Sequence, residues 1–190
     1  MTAQFWAVPL QVVAVLEEMG VSYHVGGSFA SSIHGIARQT RDLDLVAELS
    51  LSHVAAFTAR LQADFYFDDE SMRRAIENRS HFNLIHHGTG FKVDIFVSGN
   101  NAFDRSEMAR AAPYSLGGTA LHSIRVKSAE DTLLRKLVWY RLGGEISDRQ
   151  WTDVLGIVRT QAGRLELPYL QEWSAALGVE DLLNLALKEE

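Results

Sequence analysis

The chain has 190 residues, 18 Lys and Arg against 24 Asp and Glu for a net charge of −6, 47% hydrophobic residues and no cysteine. Without cysteine there is no disulfide framework, thiolate zinc site or cysteine nucleophile, and a chain this long buries roughly 70% of its unfolded surface without such staples. Neither half is basic, which argues against a broad nucleic-acid surface. No basic stretch followed by an apolar core opens the chain, so no signal peptide is expected. The apolar run from Phe5 to Leu16 is broken by Pro9 and Gln11 and is too short for a bilayer. A cytoplasmic protein without membrane contact is the expectation.

In chain order, apolar periodicity predicts a helix from about Pro9, in its first turn, to Met19, stopped by Gly20. A short strand over Val21 to Val25 runs into Gly26-Gly27, and a helix over Ser28 to His34 ends at Gly35. Residues 41–46 alternate charged and apolar, as a strand with one polar face does. Helix follows over about 52–64, an edge strand over 65–67, and polar helix or loop over 68–77. Strands over 81–86 and 91–97 are joined through Gly88-Thr89-Gly90 as a hairpin. A short helix over 103–111 precedes a second hairpin around Gly117-Gly118. From Ser128, a helix cap with Asp131, only helices are predicted, over 129–142, 148–161, 168–177 and 179–188. The expected architecture is an α/β (α+β) core with a mixed sheet over 1–126 and a helical subdomain over 127–190 packed on it. Trp139, Tyr140 and Trp151 are expected to fill the interface between these halves.

The chemistry-bearing stretch is Val25-Gly26-Gly27-Ser28, then Arg38-x-Thr40-Arg41-Asp42-Leu43-Asp44. Two glycines at a strand-to-helix turn let backbone N–H groups approach an anion, and Ser28 adds a hydroxyl at the helix start. Asp42 and Asp44 leave one face of a strand about 6.5 Å apart along the chain. Two hard oxygen donors at that spacing suit Mg²⁺. Asp94 stands in the apolar strand Val93 to Val97, where a lone carboxylate is costly without a cation. Either a shared metal or Lys92, on the same face, would supply one.

In this ordered set the sequence resembles the nucleotidyltransferase fold of the DNA polymerase β superfamily, whose pattern is Gly-Gly-Ser, Asp-x-Asp on the next strand and a carboxylate on a later one. Downstream, Glu130-Asp131-x-Leu133-x-x-Lys136-Leu137 and Asp148-Arg149-x-x-x-Asp153-Val154 are similar to the helical segment of AbiEii-like prokaryotic nucleotidyltransferases. The resemblance implies transfer of a nucleoside monophosphate from an NTP to an acceptor, with release of pyrophosphate and two Mg²⁺ ions as cofactor. It implies that Asp42, Asp44 and Asp94 are the catalytic and metal-holding residues, with Asp94 placed to take the acceptor's proton. Gly26, Gly27, Ser28, Arg38, Arg41 and Lys136 would serve the nucleotide. The acceptor is open between tRNA, a protein and a small molecule. Members of this type often act in toxin–antitoxin pairs, so a cognate antitoxin or other partner protein belongs to the reading.

The alternative is a catalytically inactive relative that binds nucleotide or a toxin–antitoxin partner. Convergence of the three carboxylates favours catalysis, whereas an Asp94–Lys92 ion pair favours binding without chemistry. Gly26-Gly27-Ser28 alone is equally a capped turn, Asp42 and Asp44 could pair with Arg38 and Arg41, and Lys136 could be a snorkelling helix lysine. Asp148 and Asp153 read as caps or helix surface. Gly117-Gly118-Thr119 repeats the glycine motif without a following Asp-x-Asp and reads as a plain turn. His86 and His87 point to opposite strand faces and are not expected to share an ion.

Overall fold

The structure, a computed structural model, describes residues 3–40, 42–116 and 123–189. Contacts divide the chain into two compact units, residues 1–26 with 40–126 and residues 27–39 with 127–190.

The first unit is built on a seven-stranded mixed sheet. Its strands are β1 (Tyr23–Val25), β2 (Asp42–Ala47), β3 (Phe65–Tyr66), β4 (His81–His86), β5 (Lys92–Val97), β6 (Ala112–Ser115) and β7 (Ser123–Val126), in the order β3-β4-β5-β2-β1-β7-β6. β2 runs parallel to β5 and β1 parallel to β7, and the other neighbours are antiparallel. Leu43, Leu45 and Ala47 on β2, with Val93, Ile95 and Val97 on β5 and Phe82 and Leu84 on β4, form a buried face. The period-2 alternation therefore sends Asp42, Asp44, Lys92 and Asp94 to the opposite face together. The helices of this unit are α1 (Ala3–Glu18), α3 (Val54–Leu61), α4 (Asp69–Glu77) and α5 (Ala102–Arg110). α4 packs on β4 and β5, and α3 packs on both α1 and α4.

α1 starts six residues before the expected Pro9, which therefore lies inside the helix and not in its first turn. A proline there removes one helix hydrogen bond. Burial of Trp6 and Val8 on its N-terminal side, continuous with Val12, Val13 and Leu16, compensates. Both predicted hairpins are formed as antiparallel pairs, β4 with β5 and β6 with β7. The Gly117-Gly118-Thr119 turn lies outside the described residues.

The second unit is helical, comprising α2 (Gly27–His34), α6 (Ala129–Leu142), α7 (Asp148–Thr160), α8 (Leu167–Ala176) and α9 (Glu180–Lys188). Ser128 and Ser147 cap α6 and α7 by accepting from the N–H groups of Asp131 and Gln150. Residues 27–39 cluster with the C-terminal helices. The reason is a close backbone approach of α2 to α7. A Cβ on Gly35 would lie 2.9 Å from Gly156 C and from Ile157 N, and one on Gly156 would lie 3.3 Å from Ile36 N. His34 donates from Nε2 to the Lys127 carbonyl at 2.7 Å, and Gln161 donates to the His34 carbonyl at 2.7 Å. Tyr140 and Trp151 pack on each other with ring centroids 5.2 Å apart. Trp139, expected in an interface, is instead 54% exposed.

Gly35→Ala is expected to lower stability by about 1–3 kcal/mol, because backbone atoms cannot yield to the added methyl. A urea midpoint equal to wild type would refute the close approach. Burial holds the His34 imidazole below its ordinary pKa, against the smaller opposing effect of the Lys127 carbonyl. With a depressed folded value, its contribution to stability is complete above about pH 6.5 and is lost as pH falls through the folded value. His34→Gln should therefore lose less stability than wild type between pH 7 and 5 in chemical denaturation.

Candidate functional site

In the first unit, β2 and β5 pair in register so that Asp42 faces Lys92 and Asp44 faces Asp94. Three carboxylates and one ammonium thus occupy four adjacent positions of one sheet face, neighbouring strands being about 4.8 Å apart. Thr40, buried, donates its hydroxyl to Asp42 Oδ1 at 2.9 Å and to the Asp42 carbonyl at 3.1 Å, which orients that carboxylate. The Gly26 N–H donates to the Asp44 carbonyl at 2.9 Å and fastens the end of β1 to β2. Arg41 lies outside the described residues.

Lys92 Nζ sits 2.6 Å from Asp94 Oδ2, with the lysine side chain 43% exposed and the aspartate 13%. The hydrogen bond to Asp94 raises the Lys92 pKa above its ordinary value, and the charges of Asp94, Asp42 and Asp44 add to it against the effect of burial. All three carboxylates therefore act on one ammonium. Among the described residues no three His, Cys, Asp or Glu side chains are placed to hold one metal ion. The ion pair with Lys92 expected for Asp94 is formed. In kind, the oxygen donors at i, i+2 and the facing strand position are those a hard divalent cation takes.

The second unit holds a basic cluster. Gly27 opens α2 at φ +52°, a left-handed conformation that favours glycine. Next to it, Ser28 Oγ accepts from Arg38 Nη2 at 2.6 Å and from Arg149 Nη2 at 3.1 Å. Arg38 forks onto Asp153, from Nε to Oδ1 at 3.0 Å and from Nη2 to Oδ2 at 3.1 Å. Lys136 Nζ reaches the same Oδ2 at 2.8 Å and is buried, not snorkelling. Burial alone would push the Asp153 carboxyl up, but the hydrogen bonds and charges of Arg38 and Lys136 outweigh it and hold it below the ordinary carboxylate value. Three cations against one carboxylate leave this cluster net positive around a hydroxyl, which suits an anion such as phosphate.

Asp153, Arg149, Thr40 and Lys92 were not expected as site residues. Arg149 and Asp153 are four apart on a helix, and Thr40 is two before Asp42, so spacing alone placed each pair on one face. Asp153→Ala should cost about 3–5 kcal/mol, since it leaves the buried Lys136 ammonium without its counter-charge. Lys136→Met with Asp153→Leu should recover most of that loss. Additive losses in a urea double-mutant cycle would show that the pair is not one unit.

No protein-family model and no curated protein matches the chain. Solved structures do. The lincosamide antibiotic adenylyltransferase LnuA, lincomycin-bound, matches at 16% identity and a TM-score of 0.53, over 83% of this chain and 96% of its own. ANT(2'')-Ia in complex with adenylyl-2''-tobramycin matches at 14% identity and a TM-score of 0.56, over 93% and 97%. An antigenic nucleotidyltransferase-like protein from Paracoccidioides brasiliensis matches at 15% and 0.56, over 99% and 94%. At these identities the likeness is one of fold, and the fold of this chain is that of nucleotidyltransferases.

Proposed function

We propose that the chain is a Mg²⁺-dependent nucleotidyltransferase that moves a nucleoside monophosphate from an NTP to an acceptor hydroxyl. The observation that carries this is the β2–β5 register, which gathers Asp42, Asp44 and Asp94 on one sheet face within a nucleotidyltransferase fold. The acceptor oxygen attacks the α-phosphorus, the bond from α-phosphorus to the bridging oxygen breaks, and pyrophosphate leaves. The acceptor proton goes to the Asp94 carboxylate, a transfer worth about 10²–10⁴-fold. Asp42 and Asp44, with Asp94, are the residues to hold Mg²⁺, whose charge would offset that of the triphosphate and of the attacking and leaving oxygens. Gly27 serves the phosphates through its backbone N–H group, that of Gly26 being taken by the Asp44 carbonyl. Ser28, Arg38, Arg149 and Lys136 do so through side chains.

Two of the structural relatives are named for adenylyl transfer to antibiotics, which supports a small hydroxylated molecule as acceptor. The Lys136–Asp153 contact joins the two segments that carry the AbiEii-like resemblance, and the toxin–antitoxin setting rests on that resemblance alone. No helix among the described residues is long and apolar enough to cross a membrane. A cytoplasmic location with access to NTPs and a partner protein fits this reading.

The Lys92–Asp94 ion pair favours a second reading, a nucleotide-binding relative without chemistry. The two separate in one assay. Each α-labelled NTP is offered with Mg²⁺ and, in parallel, RNA, cell protein and hydroxylated antibiotics. Label transferred by wild type, and reduced at least 100-fold by Asp44→Ala and Asp94→Asn, is the expected result. NTP binding without transfer to any acceptor would select the second reading.

A further inference from the structure

Beyond Asp94 the carboxylate face of the sheet continues across two more strands. β4 and β3 pair so that Asn83 stands opposite Asp94, Ile85 opposite Lys92 and Tyr66 opposite Ile85. Directly paired residues share a face, so all three side chains lie on the carboxylate side. All three are exposed, Tyr66 by 62% and Ile85 by 38%. Phe65, Phe82 and Leu84 close the other face of the same two strands, so the core has its apolar surface without Ile85 and Tyr66. Two residues along, His81 stacks its ring on Phe96 with centroids 5.3 Å apart.

The place of this surface gives it a role. Gly26 is fastened to the Asp44 carbonyl on the β1 side of β2, where the turn toward Gly27 begins. β4 and β3 lie on the other side, past Asp94. With strands about 4.8 Å apart, Asn83 is the first residue outward from Asp94, and Tyr66 lies one strand further. Asn83, Ile85 and Tyr66 carry no charge, and the Lys92 ammonium beside them is engaged by Asp94. In a protein of net charge −6, such a surface offers a polyphosphate chain no counter-charge. To a ring with an apolar face and a polar edge it offers an aromatic wall and an amide.

We propose that Tyr66, Ile85 and Asn83 form the acceptor site and select a small hydroxylated ring compound, a sugar or sugar-like ring. Its apolar face lies on Tyr66 and Ile85, and its hydroxyls turn toward Asn83 and Asp94. The inference rests on the reading of Asp94 as the group that takes the acceptor's proton. The three residues set specificity: they hold the ring and take no part in the transfer step.

The test uses the full chain with its isoleucine methyl groups labelled for NMR, and methyl glucoside and sucrose as ring probes. Either probe should shift the Ile85 methyl signal, identified by its loss in Ile85→Val, and leave that of Ile157, buried in the helical unit, unmoved. Tyr66→Ala should weaken this binding about fivefold, whereas Tyr66→Phe, which keeps the ring, should stay within about twofold of wild type. Asn83→Ala should weaken it in the same direction and serves where Tyr66→Ala does not fold. In label transfer to whichever acceptor the assay above identifies, Tyr66→Ala should raise the acceptor KM about fivefold with kcat within about twofold, a split that partial unfolding would not give. Tyr114→Ala, which removes an exposed tyrosine on the opposite edge strand β6, should leave both within about twofold. An Ile85 methyl unmoved by both probes, in a chain that does transfer label, would overturn the proposal alone. So would probe binding that the folded Tyr66→Ala and Asn83→Ala variants leave unchanged, or a shift produced by single-stranded RNA and by neither probe. No transfer of label to any acceptor would overturn the reading of Asp94 and the proposal with it.

Discussion

Parallel, in-register pairing of β2 with β5 is the constraint from which the carboxylate site follows. Six consecutive residue pairs, from Asp42 with Lys92 to Ala47 with Val97, are locked by this ladder. Side chains alternate faces along each strand, so a slip of one residue on β2 would drive two carboxylates into the apolar core and bring leucines to the surface, and one on β5 would bury Lys92 and Asp94 and expose Val93 and Ile95. The apolar residues Leu43, Leu45, Val93 and Ile95, all fully buried, therefore do more than stabilise the sheet. Their burial sets the register, and the register sets which charges face one another. Thr40 and the Gly26 N–H then fix the two ends of the same stretch, one on the Asp42 side chain and the other on the Asp44 carbonyl.

The helical unit solves a related problem by a different arrangement. Asp153 is withdrawn from water and takes a two-pronged Arg38 and a buried Lys136 at once. Desolvation makes such a group expensive, and its attraction repays the cost only when each lone pair is engaged. Here each oxygen receives at least one hydrogen bond, and the carboxyl stays ionised as a result. Arg38 is also held by its second role as donor to Ser28. The carboxylate thus orients two cations, while Arg149 reaches the same hydroxyl from the first turn of α7.

Much of this was legible in the residues, and the remainder fails for identifiable reasons. Strand alternation over residues 42–46 and the glycine-linked run from His81 to Val97 predicted β2, β4 and β5, because a half-buried sheet imposes a period that a sequence carries on its surface. The Asp42, Asp44 and Asp94 set followed from the same period. The choice of Lys92 as a partner of Asp94 did not. Lys92 and Asp94 share a face whether the partner is an ammonium or a metal, and spacing cannot choose between them. Asp153 read as helix surface because a one-dimensional pattern does not show what another helix presents to it, and Arg38 lies 115 residues away. Grouping of residues 27–39 with the C-terminal helices depends on two glycines, Gly35 and Gly156, meeting across 121 positions of sequence. Each reads locally as a helix end or a weak helix residue, and the close approach exists only in three dimensions. Pro9 misled by a general preference for the first helical turn, which burial of Trp6 and Val8 overrides.

The two ionic clusters differ in a way that bears on what each can exchange. Around Asp153, an arginine fork and a buried lysine surround one carboxylate, so removing either cation strands a charge in a place water does not reach. Such an arrangement resists exchange and suits a fixed scaffold for an incoming anion. Asp94 instead meets a half-exposed lysine with solvent beside it, a contact that can open without stranding a charge out of reach of water.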